Sequence, residues 1–226
     1  MKYGIITLTY DDPLYNFFDD IKRQYYQKNN ILNVFVYNVT TPVDKIKNTS
    51  DVIYVSNLAG GSGIYTMFDK FIATLQSNQN WNDFDYIIRA NSSTFLNLPL
   101  LEEYIKKLPQ ENCYAGPCTM PITPKDFISG TCIIFSKDVI KMLSKIKEKH
   151  ENRRLEDDLI IFQYMKNFKV PLTNIPMYWY DKNIIPTKNE ISDILKKYPL
   201  IRINNQKDRF KIDTTIWKLI EENVNE

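Results

Sequence analysis

Apolar residues recur along the chain in two rhythms, one of strands and one of helices. Lys2 to Tyr10 (KYGIITLTY) is a short apolar run of strand length that ends in Thr7, Thr9 and Tyr10. Asp11-Asp12-Pro13 then supplies a cap and a proline for the first helical position. A helix follows from about Leu14 to Lys28, with Phe17, Phe18, Ile21 and Tyr25 at helical spacing. Ile31 to Val39 and Asp51 to Ser56 read as strands on either side of a polar connection, Thr40 to Ser50. The glycine-rich turn Gly60-Gly61-Ser62-Gly63 leads into a helix from Ile64 to about Ser77. Tyr86, Ile87 and Ile88 form a further buried strand, which runs through Arg89 into a polar cluster, Asn91-Ser92-Ser93. Phe95, Leu96 and Leu98 close that stretch before a helix of Leu101, Tyr104, Ile105 and Leu108.

The second half is less regular. Short strands are expected at Cys113 to Gly116 and Cys132 to Phe135, with a proline-containing loop from Pro117 to Pro124 between them. Ser136 caps a helix from Lys137 to about His150 that carries Val139, Met142, Leu143 and Ile146 on one face. Glu156-Asp157-Asp158 opens another helix with Leu159, Phe162 and Met165. Thr173 to Tyr180 reads as one late strand, a polar stretch holds Arg202, Lys207, Asp208 and Arg209, and Asp213 to Glu222 is a closing helix. Strands alternating with helices at these lengths predict an α/β fold, a mostly parallel sheet flanked by helices. No internal repeat or linker divides the 226 residues, so a single domain is expected.

Composition narrows the function. A net charge of +2 and a pI near 8.2 are too weak to argue for nucleic acid or an anionic membrane as a partner. No apolar run approaches the roughly 20 residues of a membrane-spanning helix, and no signal-peptide pattern precedes the first strand. A cytoplasmic location is therefore expected. The three cysteines, Cys113, Cys118 and Cys132, have no metal-ligand spacing, and the single histidine, His150, rules out a histidine-rich metal site.

Several groups have both a functional and a plain structural account. The glycine-rich turn between a strand and a helix suits an anion, but its spacing matches neither the dinucleotide fingerprint nor the lysine-bearing phosphate loop, and a simple turn explains it equally well. Lys70, in the helix after that turn, could reach a nucleotide or sugar, or be solvated like most helix lysines. Arg89 at the end of a buried strand must find a carboxylate, a phosphate or carbonyls; an ion pair with Asp85 or a more remote acid would do. Three acids at 156–158 exceed what a helix start needs, and one of them could serve as a general base. Arg202, Lys207 and Arg209 would clamp a diphosphate if their segment folds back over the sheet. No Gly-x-Gly-x-x-Gly turn follows the first strand, which removes a Rossmann-type oxidoreductase.

Three ordered segments over roughly residues 84–165 together resemble the fringe-like β-1,3-glycosyltransferases of the GT-A fold. They are Arg89-Ala90-Asn91-Ser92-Ser93-Thr94-Phe95-Leu96-Asn97, then Ser129-Gly130-Thr131-Cys132-Ile133-Ile134-Phe135-Ser136-Lys137-Asp138, then Glu156-Asp157-Asp158-Leu159. Where that family carries metal-binding aspartates, this chain has Asn91-Ser92-Ser93. The resemblance implies a GT-A (Rossmann-like) sheet with a nucleotide-sugar-binding half at 1–97 and an acceptor and catalytic half at 98–226. It implies an inverting glycosyltransferase that takes a nucleotide-sugar donor, UDP-linked for preference, to a glycan or protein hydroxyl. With the aspartates gone no cofactor is expected, a divalent metal included. Thr7, Thr9, Tyr10, Lys70, Arg89, Asn91 and Ser93 would border or hold the donor, and Arg202, Lys207 and Arg209 would stabilise the leaving diphosphate. Asp158 or Asp157 would be the base, Asp158 by its match to the family's Asp-Asp-Val register. A non-catalytic sugar-nucleotide- or glycan-binding module is the alternative.

Overall fold

The computed structural model describes residues 1–39, 51–56, 67–77, 81–118, 127–147 and 156–225. The connection at 40–50, the glycine-rich turn at 60–63, His150 and most of the 117–125 loop lie outside the described residues. The elements run β1 (Tyr3–Leu8), α1 (Pro13–Lys28), β2 (Asn33–Val39), β3 (Val52–Ser56), α2 (Met67–Leu75), β4 (Tyr86–Asn91), β5 (Thr94–Leu96), α3 (Leu98–Ile105), β6 (Tyr114–Gly116), β7 (Cys132–Ser136), α4 (Lys137–Leu143), α5 (Asp157–Phe168), β8 (Leu172–Asn174), β9 (Met177–Tyr180), α6 (Lys188–Leu195), β10 (Leu200–Ile203) and α7 (Arg209–Asn225).

Seven strands make the main sheet, in the order β3-β2-β1-β4-β7-β6-β8. The pairs β3–β2, β2–β1, β1–β4 and β6–β8 are parallel, while β7 runs antiparallel to both β4 and β6. The expected mostly parallel sheet is therefore present, and it runs through both halves of one domain. Its central strands are buried on both faces, so their residues split between two cores with the period of two that the pleat imposes. Ile5, Ile88 and Ile134 face a core closed by α1, α3, α6 and α7. Ile6, Ile87 and Ile133 face one closed by α2, α4 and α5. Asp12 caps α1, accepting a 2.8 Å bond from the Leu14 amide with Pro13 at the first helical position.

A second sheet, β5-β10-β9, was not expected, and its central strand β10 lies in the late polar stretch. The run expected as one strand from Thr173 to Tyr180 is two. Pro176, which has no N–H to give a ladder, separates β8 at the edge of the main sheet from β9 in the small one. The stretch before Arg202 also holds α6, started by a capping box in which Thr187 and Glu190 bond reciprocally. Helix α7 begins at Arg209, a turn earlier than expected.

Trp217 of α7 ties the small sheet to α1. It is fully buried, stacked on Phe18 with centroids 5.0 Å apart and edge-on to Phe95 of β5 at 5.7 Å. Trp217→Ala should cost about 3–5 kcal/mol, the usual range for emptying such a site, read as a lower urea midpoint at constant slope.

Candidate active site

The order β2-β1-β4 places one parallel neighbour on each side of β1, the arrangement that opens a crevice at the strands' carboxyl ends. A cavity of about 380 Å³ lies there. Leu8, Tyr10, Asn91 and Ser92 reach it from the ends of β1 and β4, and Tyr15 from α1. Ser93, Arg202 and Trp179 come from the small sheet's side; Ser129, Gly130, Thr131 and the acids 156–158 come from the turn before β7 and the start of α5. A larger cavity of about 440 Å³ sits at the amino end of β4. Its lysines and acids alternate, and among the described residues no buried polar atom without a partner borders it, so the smaller cavity is the candidate.

The wall of the candidate cavity is a lattice of buried charge. Arg89 is wholly buried and ion-paired with Asp157. Its Nε and Nη1 have no hydrogen-bond partner among the described residues. Burial raises the Asp157 carboxyl to about 6, against the pull of Arg89 and with help from Asp158. Asp158 accepts at 2.9 Å from the Gly130 amide and, through its other oxygen, at 2.9 Å from the Leu159 amide. Both acids stand in the first turn of α5, where free amides favour negative charge. The fit around Gly130 is tight: a Cβ there would lie 3.1 Å from Arg89 Nη1, 3.2 Å from Asp157 Oδ1 and 3.4 Å from Asp158 Oδ2.

Other cations surround this pair. Lys70 is fully buried, donates at 2.9 Å to the Thr9 carbonyl and lies 4.2 Å from the centre of the Tyr10 ring. Burial, with Arg89 nearby, lowers its pKa to about 8. Lys22 donates at 3.0 Å to the Asn91 carbonyl, and burial takes it to about 7 despite Asp19. Arg202, in register with Thr94 on one side and Trp179 on the other, donates to the Ser93 hydroxyl and keeps Nε unpartnered. Burial brings it down to about 10.

No protein-family model matches the chain, and no curated protein sequence matches it. Among solved structures it resembles a glycosyltransferase involved in the glycosylation of the major capsid of PBCV-1, with a TM-score of 0.58 over 94% of this chain and 98% of that one, at 11% identity. The chain shares the overall fold of that protein.

Within this shared fold the residues singled out from sequence divide into three groups. Tyr10, Asn91, Ser93, Arg202, Asp157 and Asp158 line the cavity. Arg89 also lines it although its side chain is wholly buried, whereas Lys70, buried too, is not part of the lining. The remote acid that Arg89 needed is Asp157, not the neighbouring Asp85. Thr7 and Thr9 do not line the cavity; their hydroxyls bond Asn33 at 2.8 Å and Asp19 at 2.6 Å. Arg209 bonds Asp213 and the hydroxyl of Tyr15, so it touches the cavity through Tyr15. Lys207 is exposed outside the lining, and only its backbone amide is engaged, with Asn183.

Sequence reading missed Asp19, Lys22, Tyr15 and Trp179. Asp19 and Lys22 were signalled by charges set among the apolar positions of α1, three residues apart beside Phe18 and Ile21. Asp19 accepts from Thr9, Ser92 and Tyr37, and thereby pins the bend after β4 from behind.

The segment Asn91-Ser92-Ser93 holds no carboxylate with which to bind a metal ion. The hydroxyls of Ser92 and Ser93 are taken by Asp19 and Arg202, which leaves the neutral Asn91 Oδ1 as the free acceptor in the segment. Hard divalent cations need several anionic or carbonyl oxygens. Among the described residues no group of three His, Cys, Asp or Glu side chains is placed to hold an ion. No helix among the described residues is long and apolar enough to cross a membrane.

Gly130→Ala should push its methyl into the Arg89–Asp157–Asp158 contact. A loss of about 1–3 kcal/mol in urea unfolding is expected, the usual cost of overpacking.

Proposed function

We propose that this chain is an inverting glycosyltransferase that takes a sugar from a nucleotide-sugar donor, UDP-linked for preference, and holds the diphosphate with fixed cations in place of a metal ion. The observation that carries this reading is the set of buried guanidinium N–H groups left without partners at one cavity, on Arg89 and Arg202. An unsatisfied buried charged donor is costly, and several at one cavity among the described residues call for a partner that a bound anion would supply. The likeness to the fringe-like family in segment order supports the same donor class.

In this reading the donor diphosphate lies against Arg202 and Arg89, with Lys70 adding its charge from behind and Arg209 from the rim beside Tyr15. The two halves, 1–97 and 98–226, would then share the donor, because Arg202 comes from the later one. Asn91 Oδ1 accepts from a donor hydroxyl. Asp157 is committed to Arg89, which favours Asp158 as the base. Asp158 takes the proton of the acceptor hydroxyl as its oxygen bonds to the anomeric carbon. The bond from that carbon to the diphosphate oxygen breaks, and the electron pair leaves on the nucleotide. The cations stabilise the charge where it grows, the largest single contribution open to such a site. A cytoplasmic location remains part of the proposal.

Titration with UDP should give the same Kd with and without EDTA. Arg202→Ala should weaken UDP by about ten-fold or more, the loss of one charge-assisted contact, and uridine much less. Equal losses for UDP and uridine, or UDP binding that needs Mn²⁺, would remove the clamp. Because Lys70 is neutral above about pH 8, UDP affinity should fall from pH 7 to pH 9, and binding near pH 8 should take up protons.

Asp158→Asn should lower donor hydrolysis and transfer by about 10²–10⁴-fold, the usual yield of general-base catalysis, with UDP affinity kept. Activity that survives this change and Asp157→Asn alike would show that neither is the base. Tight UDP binding with no turnover in the unaltered protein would favour a binding module.

A further inference from the structure

Trp179 is the one exposed tryptophan. It keeps 42% of its surface in water, against 4% for Trp81 and 0% for Trp217, and the sequence has no others. It sits on a strand, where its position is fixed by the ladder with β10 in register with Arg202. The neighbouring Tyr180 is turned into the core at 2% exposure, and the alternation leaves Trp179 to line the cavity. A large rigid aromatic held half in water at a cavity wall forgoes burial that the fold could have used. A ligand with an apolar face recovers that burial.

The rest of the lining narrows what that ligand is. Ser129, Thr131 and the carboxylates of Glu156, Asp157 and Asp158 border the same cavity as the indole. Hydroxyls and carboxylates bond the hydroxyl edge of a sugar, and an indole packs on its C–H face. The three acids repel an anionic acceptor. A nucleobase would also stack on an indole, but the aromatic pair of Tyr10, just after β1, and Tyr15 of α1, with centroids 5.9 Å apart, lies on the first half's side of the cavity. Given the glycosyl-transfer reading, on which this rests, we propose that Trp179 is the acceptor platform and that the acceptor is an uncharged sugar ring, seated with its C–H face on the indole and its attacking hydroxyl toward Asp158.

Acrylamide quenching of tryptophan fluorescence tests this directly, since Trp81 and Trp217 are buried and Trp179 dominates the quenchable signal. The probes are methyl glucoside, methyl galactoside, methyl mannoside and methyl N-acetylglucosaminide, each with and without UDP, beside a serine-containing peptide. At least one glycoside should shield Trp179, and the peptide should not. With the shielding glycoside as acceptor, Trp179→Ala should raise its KM about ten-fold, in keeping with the loss of an aromatic contact and its area, while Kd for UDP stays unchanged. Trp179→Phe should recover most of the loss. Absence of shielding by every glycoside would overturn the proposal, even if the donor is hydrolysed. So would a loss of UDP affinity in Trp179→Ala as large as the loss for the acceptor, which would assign the indole to the nucleobase. Shielding by a glycoside in a protein that binds no UDP would leave the platform standing and remove the donor reading instead.

Discussion

The buried pair of Arg89 and Asp157 is the constraint around which this structure is arranged. A buried guanidinium needs a counter-charge, so the chain brings a carboxylate to it from 68 residues further along the sequence. Asp157 arrives at the start of α5, and its approach is eased by Gly130, where a Cβ would press on Arg89 and both acids. The approach draws Asp158 to the Gly130 amide, and so sets both acids at one wall. Replacing such a pair with apolar residues of similar volume is often neutral or stabilising in proteins generally. Its retention in the middle of a sheet, with two guanidinium nitrogens left unsatisfied, argues for a role other than stability.

The remaining geometry follows from how the chain leaves β4. After Asn91 it bends through Ser92 and Ser93 and crosses directly into the second sheet at Thr94. The bend is held from behind by Asp19 and Lys22 of α1 and from the other side by Arg202 of β10. Strand β10 is thus both a structural partner of the bend and the carrier of its cation. Its other neighbour, β9, is free to join the small sheet because Pro176 ends the ladder that β8 makes with β6. One proline therefore lies behind the placement of Trp179 at the same wall as Arg202.

The sheet was legible in the sequence because its central strands are long, apolar and buried on both faces. Tyr3 to Leu8 and Tyr86 to Ile88 have few other readings. The small sheet was not legible, because β5 and β10 are three and four residues long and β10 carries an arginine in its centre. Helix α6 announced itself through Thr187 and Glu190, a capping signal read as part of a polar stretch. In the site, the residue types were legible and their layers were not. Thr7 and Thr9 end a strand at the ligand edge, as a donor-binding pair would, yet each hydroxyl bonds a neighbouring element. Local sequence gives a side chain's position along a strand, whereas what it bonds is set by residues brought in from elsewhere. Arg89 shows the same limit, since the adjacent Asp85 and an unspecified remote acid were the alternatives until the fold brought Asp157 to it.

The cations at this edge are of two kinds, and the difference bears on how an empty site tolerates them. Arg89 and Arg202 remain charged across the working range of pH, so their mutual repulsion is permanent. Lys22 and Lys70 are lowered by burial to about 7 and about 8, close enough to neutrality to give up a proton when no anion is present. Each is bonded to a backbone carbonyl, of Asn91 and Thr9 respectively, and a neutral amine can keep that bond. The lysines can thus adjust the charge of the site while the arginines fix its shape. An anion arriving against Arg202 would draw protons back onto them and strengthen the field that holds it. Bound metal would give the same stabilisation only with carboxylates to retain the ion, and the segment that would have supplied them offers one free amide oxygen.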